Sequence, residues 1–561
     1  MRLDDLEDLE ASLAMHDDMV SRRGIEIWLG AEPTFTRPAA MDPAWLAEID
    51  GSDKLARAHA LATAFADAHP GASVSRVEAP PPRFAFGVRW RDDGTGAGTR
   101  VSPDAAAEPA PHDLGDDHWL GVAPASGVVE VHLGPCPDAR ALGVQAHQVW
   151  RAAMAAGLSS TRYRFNGDVT DAGGGCRLSI GGSRPHASPF IRYPHVLPAL
   201  IRYLNNHPSL SYWFANECVG SASQGPRPDE GTRERWDELE VTLGWLERLA
   251  DRGELPPEQL SHALGPLLVD VTGDPRRAEL CVERLWPPHL GMPCTRNMGV
   301  VELRAVRMPE RPQMLAALAV LVRAIVARLV VSHYRSPLID WHDELHDRFA
   351  LPAALARDLR MVLGDLDEHG LGVPAQLRRE LEAWRPSGIA TRLGDATLML
   401  RPALEFWPLV GDLPGHPRLG AHVVDSSTER WELSFEGAGP DRIAVGGRWA
   451  HLRSVGNGVR AIGVRRRVYQ PSPGFHPGLP PTDPLVIEWA WGGRSMRIEL
   501  WAWRPAGGPY PALPQTDNEA LARRQERFRL TTSSGEVHAT GHWAETRPFT
   551  IDLRAGECAR A

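Results

Sequence analysis

The sequence predicts an α+β chain: a long amino-terminal body of mixed helices and strands, followed by an all-β, sandwich-like unit. Two observations carry this reading. Residues 24–390 alternate short β-branched runs with longer stretches of helical period. From about residue 391, runs such as RWELSFEG, RIAVGGRWAHL, LVIEWAWGG and SMRIELWAW recur between Gly/Pro turns. A chain of 561 residues also exceeds one compact domain. The expected organisation is an acidic helix or tail at 1–23, a main domain at 24–390 and a β-rich domain at 391–561. The segment at about 92–117, rich in Gly, Pro and Ala, reads as a flexible surface insertion.

Strands are expected at 24–30, 83–90, 127–133, 161–165, 176–181, 267–271, 277–281 and 299–306. Helices are expected at 53–68, 138–156, 194–206, 229–252, 310–333 and 353–369. The apolar stretch MLAALAVLVRAIVARLVV (314–331) is broken by Arg323 and Arg328. Each arginine costs about 2.5–3.5 kcal/mol at a bilayer centre, so the stretch reads as a buried core helix. The start, MRLDDLEDLEASLAMHDDM, lacks the basic and apolar regions of a signal peptide, which makes the cytoplasm the expected location.

Composition narrows the chemistry. A net charge of −10 gives no electrostatic reason to expect nucleic acid or an anionic membrane. Six cysteines with no C-x-x-C spacing point to neither a disulfide framework nor a zinc site. The single lysine, Lys54, leaves no Walker-type P-loop and no kinase strand lysine. A nucleotide would have to be handled by arginines and metal-bound carboxylates. No G-x-S-x-G elbow is present. The H-x-E-x-H of WHDELHDRF departs from H-E-x-x-H and reads as an ordinary polar helix face.

Carboxylates recur on strands beside Gly/Pro breaks. Glu32 follows GIEIWLGA, and Pro33 is expected to stop that strand with Glu32 at its end. Glu130 sits in GVVEVHL, which Gly134-Pro135 is expected to close. Asp270 and Glu279 fall in an expected hairpin with Arg276 and Arg277 at its turn. Glu302 and Arg304 share one strand face by the period of two. Any one of these acids is most simply a solvated strand residue. Together they suit a hard cation, which takes oxygen ligands, and arginine forks suit phosphate. Gly173, Gly174 and Gly175 form a loop whose N–H groups can cradle phosphate, or a plain hairpin turn.

The words LGAEPTF, VVEVHLGPCPD, YRFNGDVTDAGGG, DVTGDPRRAELCVERLW, GVVELRAVRMP and LHDRFALP, with FHPGLPPTDPL near the end, resemble the bacterial amidoligases associated with transglutaminase-like domains. The resemblance covers nearly the whole chain. It implies the fold of glutamine synthetase and glutamate–cysteine ligase, an antiparallel sheet whose strands carry metal-binding glutamates. It implies Mg2+ held by Glu32, Glu130 and Glu302, with Glu279. Arg304, with Arg276 or Arg277, would stabilise a transferring phosphoryl group, and the loop 173–175 and Arg304 would lie against the nucleotide. The implied reaction is ATP-dependent amide formation through an acyl phosphate, on small-molecule or peptide carboxylates and amines. Transglutaminase-like and other peptide-modifying proteins are the implied partners.

The segment SRVEAPPPRFAFGVRW lacks the lysine and the Trp-Tyr pair usual in the family, and no transglutaminase-like domain precedes LGAEPTF. These departures keep a non-catalytic binding or assembly subunit as the alternative. An amide hydrolase ranks below it, because no activated Ser or Cys is visible.

Overall fold

The structure is a computed structural model. It describes residues 3–39, 52–69, 72–76, 85–90, 118–286, 299–412, 422–437, 439–470, 475–476, 478–543 and 547–558. The expected insertion at 92–117 lies outside the described residues, as does part of the atypical segment before residue 85.

Eight strands form the central sheet. They are β1 (Trp28–Phe35), β2 (Ser73–Arg76), β3 (Phe86–Trp90), β4 (His118–Ala125), β5 (Val128–Cys136), β6 (Cys176–Gly181), β7 (Leu280–Cys281) and β8 (Val301–Leu303). Their order is β7-β8-β6-β1-β5-β4-β3-β2, and every pairing is antiparallel. Period-two alternation gives the sheet two unlike faces. Leu29, Ala31, Phe35, Val129, Val131, Leu133, Leu178, Ile180, Val301 and Leu303 are buried in the main core. The other face carries Gly30, Glu32, Thr34, Glu130, His132, Arg177, Ser179 and Glu302.

Helices cover the apolar face. They include α1 (Leu3–Ser21), α2 (Ser52–Asp67), α3 (Ala139–Ala155) and α4 (Pro312–Val331). Asp138 caps α3 by accepting from the Ala141 N–H at 2.7 Å, which starts that helix directly after β5. Leu142, Ala146 and Val149 of α3 then face the sheet, and Trp150 meets Phe35 edge-on at 5.0 Å. Each such large apolar side chain contributes about 1.5–3 kcal/mol on burial.

Among the described residues, α4 alone is long and apolar enough to cross a membrane, and 89% of its most apolar window is buried inside the protein. Both of its arginines find carboxylate partners inside the protein. Arg323 pairs with Asp17 of α1, and Arg328 with Asp365 at 2.9 Å. The amino-terminal segment is therefore an integral helix: Leu9, Leu13 and Val20 enter the core. Asp17 also accepts from the Ala139 and Arg140 N–H groups at the start of α3.

Three strand expectations are corrected. Pro33 does not end β1. It lies opposite Cys176, the first residue of β6, whose N–H goes to the Val306 carbonyl at 2.9 Å, so β1 continues to Phe35. Gly134-Pro135 does not end β5, because a register shift between Leu29 and Ala31 accommodates it and pairing resumes at Cys136. Residues 267–271 form no strand. The Asp270 carboxylate accepts from the Thr272 and Asp274 N–H groups at 2.8 and 2.9 Å, closing a turn in place of the expected hairpin.

Beyond residue 388 the described residues build two larger sheets and a two-stranded ribbon of Leu409–Asp412 with His422–Val424. One has six strands, including Ala396–Ala403, Thr428–Glu436 and Val459–Arg467. The other has five, including Leu485–Trp491, Arg494–Leu500 and Phe528–Ser534. Leu398, Leu433, Ile462, Ile487, Trp489 and Ile498 form their shared core, which is the sandwich-like arrangement expected. This unit is stitched to the body: Glu405–Phe406 pairs in parallel with Cys218–Val219, and Glu432 accepts from the Ala353 N–H at 2.7 Å.

Candidate functional site

The polar face of the sheet concentrates charge at β5, β1, β6 and β8. The pairs Ala31↔Leu133 and Thr34↔Glu130 set Glu32 opposite His132. On the other side of β1, Glu32 pairs with Arg177 and Gly30 with Ser179, and Ser179 in turn pairs with Glu302. Four consecutive strands thus aim functional groups at one patch.

His132 lies between two carboxylates, with Nδ1 3.2 Å from Glu32 Oε1 and Nε2 2.8 Å from Glu130 Oε1. Arg177 Nη1 lies 2.7 Å from Glu32 Oε2 and 3.4 Å from Glu130 Oε1. Glu302 holds two guanidinium groups: Arg284 Nη1 on Oε1 at 2.9 Å and Arg304 Nη1 on Oε2 at 2.7 Å. Arg284 also reaches to 4.0 Å from Glu32 Oε1, joining the two halves.

Burial alone would raise the Glu32 carboxyl, but His132, Arg177 and Arg284 hold it well below the usual range. Glu130 is also lowered: His132 and Arg177 outweigh burial and the nearby Glu32 charge. Burial would lower His132, yet the two glutamates push it up to about 10. The two carboxylates thus favour the protonated imidazole, with Nε2 2.8 Å from Glu130 and Nδ1 in ion-pair range of Glu32.

Glu32, Glu130 and His132 each offer one ligand atom, and these atoms lie within 4.8 Å of one another. Two carboxylate oxygens and one imidazole nitrogen on rigid strands fit a divalent cation such as magnesium or manganese, the imidazole favouring manganese. His132 must lose a proton to serve as a ligand.

The expected residues divide. The structure brings Glu32, Glu130, Glu302 and Arg304 together. It does not bring Glu279, Arg276 or Arg277 to them. The Glu279 backbone carbonyl accepts from the Arg304 N–H at 2.8 Å. Its side chain, however, turns to the Ser211 hydroxyl and lies 3.9 Å from Arg227, and burial raises its carboxyl. Arg276 is exposed and pairs with Glu283 at 3.2 Å. Arg277 lies 3.6 Å from Asp270, since both belong to the turn that replaces the expected hairpin.

Gly173, Gly174 and Gly175 sit beside the cluster, against the end of β1. Gly173 and Gly175 have φ of +98° and +75°. A Cβ on Gly174 would approach Thr34 to 2.8 Å, and one on Gly175 would approach Gln224 to 2.7 Å. Thr34 Oγ1 donates to the Gly175 carbonyl at 2.7 Å. Packing on Thr34 at Gly174, packing on Gln224 at Gly175 and the positive φ of Gly173 and Gly175 account for the glycines on their own.

Sequence reasoning missed His132, Arg177 and Arg284. His132 is two residues from Glu130 in VVEVHL, so the strand period already placed it on the same face. Arg177 carries the corresponding parity in CRLSIG. Arg284 follows β7 in a turn and had no periodic signal. The H-x-E-x-H motif is also more than a polar face. His346 Nε2 lies 2.7 Å from buried Glu230, which accepts from the Tyr212 hydroxyl, and the imidazole stacks on Phe406 at 4.9 Å.

The chain thus has an α+β frame, an antiparallel sheet with a carboxylate–imidazole–guanidinium cluster on one face and helices on the other. The chain belongs to the family described as "Putative amidoligase enzyme (DUF2126)", which matches residues 106–554. No curated protein matches the sequence. A solved structure described as "GmaS/ADP complex-Conformation 1" aligns over 67% of this chain and 72% of its own, at 15% identity and a TM-score of 0.32. A second, described as a novel glutamine synthase homolog, aligns over 67% and 71%, at 16% identity and a TM-score of 0.26.

Proposed function

We propose that this protein is an ATP- and divalent-metal-dependent ligase that joins a carboxylate to an amine. The observation that supports this reading is the convergence of Glu32, Glu130 and His132 with Arg177, Arg284 and Arg304 on one sheet face, in a chain of the amidoligase family. In this reading Glu32, Glu130 and His132 hold the cation. When bound, the cation supplies neutralisation of phosphate charge. Arg177, Arg284 and Arg304 present guanidinium forks for phosphate oxygens. Glu302 fixes the directions of Arg284 and Arg304. The acid substrate takes the γ-phosphoryl group to become an acyl phosphate, and the amine displaces phosphate to form the amide. Small-molecule or peptide carboxylates and amines are the proposed substrate class.

The test is ADP release by the purified chain with ATP, Mg2+ and panels of acids and amines. Release that requires both an acid and an amine, with amide seen by mass spectrometry, is the expected result. Amide cleavage without ATP would replace this reading with hydrolysis. No nucleotide turnover on any panel, by a folded chain, would replace it with a non-catalytic role.

A further inference from the structure

The charges of the cluster bear on how its ligands can enter. Both oxygens of Glu302 accept from guanidinium groups, Arg284 at 2.9 Å and Arg304 at 2.7 Å. Glu32 Oε2 accepts from Arg177 at 2.7 Å, and Arg177 also reaches Glu130. Glu32 and Glu130 therefore already have partners in Arg177 and His132, and Glu302 in Arg284 and Arg304, before any cation arrives. The side chains are deeply set: Glu32, Glu130 and Glu302 are 8, 17 and 6% exposed, and Arg177, Arg284 and Arg304 are 28, 17 and 10% exposed.

A free divalent cation would have to take carboxylate oxygens away from Arg177. It would leave that guanidinium in a partly desolvated position without its counter-ion, and a buried charge stripped of its partner is strongly unfavourable. A polyphosphate changes this balance. Its oxygens accept bidentate guanidinium bonds, so each arginine that releases a glutamate gains a phosphate. The exchange conserves pairing: carboxylate passes from arginine to metal, and arginine passes from carboxylate to phosphate.

We infer that the metal and the nucleotide enter this site only together, because Arg177 occupies Glu32 and Glu130 until phosphate takes its guanidinium over. The inference rests on the ligase reading above and specifies how its site is loaded. Binding is then strongly cooperative, and linkage makes the effect reciprocal: metal tightens nucleotide by the same factor that nucleotide tightens metal. Arg177 has the largest part, since it bonds to two of the three candidate metal ligands.

The experiment is Mn2+ titration of the full chain, read by electron paramagnetic resonance of the free ion, with and without the imido analogue of ATP. Once the Mn2+ held by the analogue in protein-free solution is subtracted, the analogue is expected to tighten Mn2+ binding to the chain by about 100-fold. In R177M, free Mn2+ is expected to bind more tightly than to the native chain, and the coupling to shrink. The two native-protein arms decide the matter even if R177M fails to fold, and R284M provides a second variant. Equal Mn2+ affinity with and without the analogue would overturn the inference and leave the ligase reading standing. No Mn2+ binding in either arm would overturn the reading and the inference with it.

Discussion

Glu32 and His132 face each other across β1 and β5, with Oε1 3.2 Å from Nδ1. Their neighbour Glu130 closes on the other ring nitrogen at 2.8 Å. The imidazole is thus set between two glutamates on the polar face of the sheet.

The first prediction concerns Glu130. The change to Gln keeps the shape but removes a charge and a ligand. E130Q is expected to lower ligase turnover by about 10²-fold or more, the size of effect seen when one preorganised electrostatic group is lost. Phosphate release, with far-UV circular dichroism as the control for folding, checks this.

The pair also has a pH signature. The folded pKa of His132 is raised to about 10 from 6.5. Its contribution to stability is therefore fully present below about pH 6.5 and is lost as pH rises through about 10. Urea midpoints of the metal-free chain from pH 6 to 10 are expected to fall in the native protein. H132Q should start lower and show a flatter profile.

His16 gives the opposite sign. Burial, aided by the Arg323 charge, lowers it to about 3. Its neutral form is compatible with the fold, and the unfolded chain takes up the proton first. Stability linked to His16 is therefore present above about pH 6.5 and lost as pH falls toward 3. Protection of the α1 amides, relative to the intrinsic exchange rate at each pH, should fall between pH 6 and 4, and H16L should remove that acid dependence.

The loop at 173–175 is expected to be intolerant of side chains. A Cβ on Gly174 would lie 2.8 Å from Thr34. G174A should cost about 1–3 kcal/mol through overpacking. Because Thr34 is two residues from Glu32, the variant should also weaken metal–nucleotide binding. Denaturant midpoints and the Mn2+ titration read the two effects separately.

The period of two was the most informative signal in the sequence. It put Glu302 beside Arg304, and they touch at 2.7 Å. The same rule extended to His132 and Arg177, but residue type drew attention to acids first. Proline misled the reading at Pro33 and Pro135. A missing N–H matters only where the ladder needs it, and neither the start of β6 nor the register shift beside Gly134-Pro135 does. Glu279 shows the limit of strand logic. The expected hairpin did not form, and Ser211 and Arg227 drew its carboxylate away from the cluster; contacts so distant in sequence leave no periodic trace. Arg284 reaches the site from a turn, for which no spacing rule exists.

The most direct test of the central claim is a crystal structure of the chain with Mn2+ and the imido analogue of ATP, read from the anomalous scattering of manganese. The account predicts a manganese peak bounded by Glu32, Glu130 and His132, with phosphate oxygens against Arg177, Arg284 and Arg304. Manganese or nucleotide bound away from this face, with Arg177 still on Glu32, would contradict it.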